Sequence, residues 1–249
     1  TGLAEITATQ LNESVLPVVS RLASALRGER LEADVDVLKL CSVDPDDCEA
    51  DRTLATAVSG LRCAVADALA QRAQMSLTDY LCWSYQHKGV KNRTVELYAN
   101  INRSLLPNDR GPVDRSPDAF RRMALKAVQV GFAALKCAPF DECRAPFDSA
   151  GLPREVEAGL ARFAGVKEVC GPEKEVYVDC HSRFDLESSL VLEVKLREAD
   201  AAWFEEPVDP LRCSKALKQI RQEASLPVVG GELGYGLPLF QRLMDQNIV

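Results

Sequence analysis

Three acidic residues each close a short apolar run: Asp179 in Val176-Tyr-Val-Asp179, Glu205 in Ala202-Trp-Phe-Glu205, and Glu232 in Val228-Val-Gly-Gly-Glu232. They recur about 26 residues apart. A strand, a loop, a helix and a return loop need about 25 residues or more, so the period predicts successive βα units of a parallel sheet or barrel. The three carboxylates then converge on one face, and three hard oxygen ligands with room left for water and substrate describe a Mg²⁺ site. Lys136, in Ala134-Leu-Lys-Cys-Ala-Pro-Phe-Asp141, falls at the same rim and is predicted to face the acids. Burial and nearby positive charge lower the pKa of such a lysine while carboxylates oppose the lowering; with Mg²⁺ offsetting the carboxylates, Lys136 is a candidate base. His181 follows Asp179 by two residues, so along an extended strand the two side chains point the same way, placing a candidate acid beside a metal ligand. The other histidine, His87, lies in a linker and reads as solvated. Asn100, Asn102, Arg103 and Arg183 sit near strand ends, and Asn102 and Arg183 are taken as candidate substrate contacts.

The elements that must hold these residues divide the chain in two. Residues 1–93 read as mostly helical, with helices over Val15–Leu26, residues 53–72 and residues 76–82, and a Pro- and Asp-rich break from Ser42 to Asp51. Residues 94–249 alternate strand and helix. Strands are predicted over Val95–Ile101 and Phe132–Lys136, then at the three runs ending in Asp179, Glu205 and Glu232. Helices are predicted from Ser116-Pro117 to Val130, Arg154 to Val169, Leu186 to Ala199, Arg212 to Ala224 and onward from Pro238, with Ile248-Val249 opening a sixth strand. The expected fold is α/β: a (β/α) TIM-type barrel, incomplete at its C-terminal side, preceded by a partial α+β capping domain. Five strands and the start of a sixth leave a parallel barrel unclosed.

Composition narrows the function classes. With 47% hydrophobic residues in 249, a substantial core is available. The net charge of −7 carries no basic stripe, so no nucleic-acid partner is expected. No apolar run is read as approaching the length of a membrane span, and the N-terminus lacks a basic segment followed by an apolar one; no membrane partner and a cytoplasmic location are expected. Nine cysteines with no CxxC pair point to reduced thiols, mostly small buried hydrophobes. Gly230-Gly-Glu-Leu-Gly-Tyr-Gly236 lacks dinucleotide-binding spacing.

The ordered set Lys136, Val178-Asp179-Cys-His181, Trp203-Phe-Glu205-Glu-Pro207 and Gly231-Glu232 resembles the enolase superfamily, in its mandelate racemase and muconate lactonizing enzyme branch, over nearly the whole chain. The resemblance implies that Asp179, Glu205 and Glu232 bind Mg²⁺, that Lys136 is the first lysine of a Lys-x-Lys motif, and that residues 1–93 belong to a capping domain. The second lysine of that motif is Ala138 here, and the family's His-Asp dyad from the sixth and seventh strands has no counterpart in these residues. A histidine two residues after the first metal ligand resembles the sugar-acid dehydratases of the branch, where it protonates a departing hydroxyl. The implied reaction is abstraction of the proton alpha to a carboxylate through an enediolate, followed by dehydration of a sugar acid to a 2-keto-3-deoxy acid. A racemase, epimerase or cycloisomerase of the same scaffold is the alternative, and a non-catalytic barrel protein a third reading. The expected partners are a small carboxylate substrate and further copies of the chain in a homo-oligomer.

Overall fold

A computed structural model describes residues 1–6, 14–89, 94–102, 105, 114–147 and 154–249. The chain forms two compact units, one of Thr1–Val95 with Leu233–Leu237, the other of Glu96–Glu232 with Pro238–Val249.

The first unit is helical among its described residues: α1 (Val15–Leu26), α2 (Asp36–Leu40), α3 (Pro45–Ala50), α4 (Arg52–Arg72) and α5 (Leu77–Ser84). The stretch from Ser42 to Asp51, expected as a break, contains α3. Its Asp44 accepts from the Asp46 N–H and Pro45 occupies the first turn, so the Asp-Pro pair starts a helix rather than interrupting one. Asp51 then caps α4 through the N–H groups of Thr53 and Leu54. The expectation that no apolar run approaches a membrane span is corrected by α4, whose 21 residues are long and apolar enough to cross one. Here α4 buries Ala57, Val58, Val65, Ala66 and Leu69 against α1 and α5, and its Arg62 pairs with the buried Asp34 at 2.6 Å.

The second unit holds the parallel sheet. Its strands β1 (Tyr98–Asn100), β2 (Ala134–Cys137), β3 (Glu175–Asp179), β4 (Trp203–Glu205) and β5 (Val228–Val229) pair in chain order. The helices are α6 (Pro117–Val130), α7 (Arg154–Cys170), α8 (Leu186–Glu198), α9 (Ser214–Glu223) and α10 (Leu237–Asp245). Strand alternation sends Leu135, Cys137, Val176, Val178 and Phe204, all fully buried, into the hydrophobic core. The opposite set, Tyr98, Tyr177 and Trp203, forms an aromatic cluster, with Tyr177 stacked on Trp203 at 3.7 Å. At α6 capping follows the sequence signal, Ser116 accepting from the Ala119 N–H ahead of Pro117, and at α8 Asp185 and Ser188 make a reciprocal capping box. The glycines of α7 have a packing cause. A Cβ at Gly159 would lie 2.2 Å from the Phe140 ring, so only glycine lets the helix approach the loop after β2 this closely.

Two strand assignments change. The fifth strand ends at Val229, and Glu232 follows on a turn in which Gly231 adopts φ 111°. Ile248 and Val249 form no strand in this structure. All nine cysteines are free thiols, and Cys180 is buried.

Candidate active site

Parallel register sets Asp179 of β3 beside Glu205 of β4 at the C-terminal edge of the sheet. Lys136 of β2 is level with Tyr177, two residues short of Asp179, and its long side chain spans the difference. Its Nζ lies 2.8 Å from both carboxylate oxygens of Glu205 and 2.9 Å from Asp179 Oδ2. All three residues are buried. Glu232 is exposed but turns back toward them: one oxygen each from Asp179, Glu205 and Glu232 fall within 4.8 Å of one another. Three hard oxygen donors on separate elements suit a divalent cation such as Mg²⁺, and the Lys136 ammonium already seated against two of them shows that the cluster accommodates positive charge.

The electrostatics follow from this crowding. Burial alone would lower the Lys136 pKa, but Asp179 and Glu205 outweigh it and hold the ammonium above its usual range. The opposing effect of carboxylates expected from sequence dominates here, because two carboxylates face the amine at contact distance. Burial and the Asp179 charge push Glu205 up despite Lys136. Asp179 goes the other way: burial raises it, yet His181 and Lys136 together hold it below the usual carboxylate range.

His181 reaches the site by a different route from the extended strand expected. β3 ends at Asp179, and His181 and Ser182 both take left-handed backbone conformations, φ 46° and 57°. The His181 N–H donates to Asp179 Oδ1 at 3.1 Å, and the turn returns the imidazole so that Nε2 lies 3.3 Å from Asp179 Oδ2. Nδ1 meets Asp141 Oδ1 at 2.6 Å. Burial opposes the imidazolium, but Asp141 and Asp179 overcome it and raise the pKa to about 10.

The remaining candidates are less close to the acids. Asn102 is buried, and its Oδ1 accepts from the Ala138 N–H at 2.5 Å, fastening the end of β1 to the exit of β2. Arg183 is partly exposed, with its nearest acid contact to Asp141 at 3.9 Å; its Nε is buried without a hydrogen-bond partner, and burial and Arg144 lower its pKa. Asn100 accepts from the Asn102 N–H, and Arg103 lies outside the described residues. Two residues went unnoticed in the sequence. Asp141 lies five residues beyond Lys136 on the same strand exit, which was a usable signal. Glu206 is buried, and its Oε1 accepts from the Gly231 and Glu232 N–H groups at 2.7 and 3.0 Å, so it fixes the backbone that presents Glu232. Burial pushes its pKa up against those two donors.

A parallel βα sheet with three carboxylates, a lysine and a histidine at the C-terminal ends of its strands defines a class of acid-rich barrel sites. Residues 119–249 match the enolase C-terminal domain-like family, and the chain belongs to it, within the enolase superfamily's mandelate racemase/muconate lactonizing enzyme branch. It is 31% identical over 81 residues to D-galactarolactone cycloisomerase of Agrobacterium fabrum, an alignment covering 32% of this chain and 21% of that protein. A mandelate racemase/muconate lactonizing enzyme-like protein from Rubrobacter xylanophilus superposes with a TM-score of 0.78 at 29% identity, covering 100% of this chain and 64% of that one. A member of the enolase superfamily from Salmonella Typhimurium gives a TM-score of 0.79 at 17% identity over 100% and 64%. The chain thus spans less than two thirds of the length of these relatives.

Proposed function

We propose that this site removes the proton alpha to the carboxylate of a sugar acid in a Mg²⁺-dependent reaction and directs the resulting enediolate toward loss of the β-hydroxyl, giving a 2-keto-3-deoxy acid. The observation that supports this most is the single cluster of Lys136, His181 and the Asp179, Glu205 and Glu232 carboxylates. When bound, Mg²⁺ supplies the positive charge that offsets two developing negative oxygens. Asp179, Glu205 and Glu232 are the residues proposed to hold it. With a divalent cation held by Asp179 and Glu205, their charges would be offset, and the Lys136 amine would serve as the base that takes the α-proton. His181 donates from Nε2 to the departing hydroxyl, and Arg183 contacts the hydroxylated chain of the substrate. Residues 1–93 are proposed as part of a capping domain.

The relationship to D-galactarolactone cycloisomerase favours a second reading, in which the same enediolate is reprotonated or rearranged without losing water. Mass analysis of products from hexonic and hexaric acids incubated with the protein and Mg²⁺ separates the two. Loss of one water supports dehydration; an isomer of equal mass replaces it with racemisation or cycloisomerisation.

A further inference from the structure

Asp141 is one of the most deeply buried acids in the described chain, its side chain only 3% exposed, and burying a carboxylate is costly unless something specific compensates. Arg115 is the obvious structural partner, but its guanidinium is 3.5 Å from Asp141 Oδ2 and that oxygen has no hydrogen-bond partner. The short contact is with His181 Nδ1, at 2.6 Å. Arg115 instead braces the loop that carries Asp141, donating to the carbonyls of Leu105 and Ala138 and pairing with Glu142 at 2.6 Å. Arg144 donates to the Asp141 carbonyl at 2.8 Å. The loops bearing Asp141 and His181 are fastened to each other by the Ala145 N–H to Arg183 carbonyl bond at 3.0 Å and by the edge-on contact of Phe140 with Phe184. A carboxylate on one nitrogen of an imidazole fixes which way the other nitrogen points.

We infer that Asp141 is a positioning residue for His181, holding the ring through Nδ1 so that Nε2 faces the Asp179 carboxylate. The inference builds on the proton-donating role proposed for His181. It predicts that Asp141→Asn, which keeps the shape of the side chain, lowers dehydration kcat by about 10- to 100-fold while KM and Mg²⁺ affinity stay unchanged. The same substitution in a His181→Asn background adds no further loss, because the two residues act as one unit. These constants are measured with D-gluconate and D-galactarate as probes, and Mg²⁺ affinity by calorimetry.

A second readout needs no turnover. In protein labelled with ¹⁵N-histidine and titrated with Mg²⁺ alone, the His181 Nδ1 proton, identified by its disappearance in His181→Asn, is expected far downfield and slow to exchange. Asp141→Asn removes that signature. Multiplicative losses in the double variant, or no such proton in the unsubstituted protein, overturn the inference. Full turnover in His181→Asn overturns the role proposed for His181, and the imidazole spectrum then decides by itself whether Asp141 orients the ring.

Discussion

Lys136 carries an ammonium that burial alone would push toward neutrality, yet Asp179 and Glu205 at 2.8–2.9 Å hold it charged. Its substitution therefore has opposite meanings with and without a competing cation. In Mg²⁺-free protein, Lys136→Met leaves two buried carboxylates facing each other without the ammonium between them, Asp179 keeping only its His181 contacts, and a loss of about 3–5 kcal/mol of stability is expected. Saturating Mg²⁺ restores most of that loss, since the same carboxylates then have a cation to bind. Urea denaturation in chelator and in Mg²⁺ measures both values; an equal loss in the two conditions contradicts the assignment of Asp179 and Glu205 as ligands. Residue types and spacing pointed to Lys136, Asp179, Glu205 and Glu232 because a carboxylate or amine at a strand end is conspicuous after an apolar run. The strand exit that carries Asp141 was legible, but its role was not, since its imidazole partner on the next strand's exit, like the two backbone N–H groups that Glu206 accepts from, is defined only once the loops are folded.

At the scale of elements, the site depends on how each strand ends. β3 stops at Asp179 and turns through two left-handed residues; β4 stops at Glu205, and Glu206 itself takes φ 39°. Such conformations are costly outside glycine and persist where surrounding bonds hold them, here Ser182 N–H to the Glu206 carbonyl and Glu206 N–H to the Val229 carbonyl. Glu206→Ala removes the acceptor for both amides beneath Glu232. A destabilisation of about 1–3 kcal/mol is expected, with Mg²⁺ affinity lowered about 10- to 100-fold. Glu206→Gln keeps an acceptor oxygen and falls between that variant and the natural protein; a larger calorimetric loss for Gln than for Ala is the contrary result. The capped start of α6 was legible because Ser116-Pro117 is a local signal, whereas the Asp185–Ser188 capping box that opens α8 emerged only with the structure. The end of β5 was not, since Gly230 and Gly231 read equally well as strand or turn, and only the Gly231 conformation separates Val229 from Glu232 by a bend.

For the molecule as a whole, the strand order β1-β2-β3-β4-β5 with every pair parallel is what a repeating βα period dictates, and it brings residues distant in sequence to one edge of the sheet. That topology, rather than any local motif, is why Lys136 and Glu205 meet across 69 residues of sequence. The helices α1 to α5 were less legible, because Ala-rich amphipathic patterning identifies helices without specifying how they pair. The proposed function requires the carboxylate cluster, Lys136 and Mg²⁺ together to ionise the carbon next to a carboxylate. The most direct measurement is exchange of the α-proton of D-gluconate and D-galactarate with deuterium in D₂O, followed by NMR. Exchange or elimination that requires Mg²⁺, and falls by more than the about 10- to 100-fold typical of an outer-sphere change in both Lys136→Met and Glu232→Gln, is the predicted result. Exchange of equal rate in chelator, or undiminished in Glu232→Gln, contradicts it.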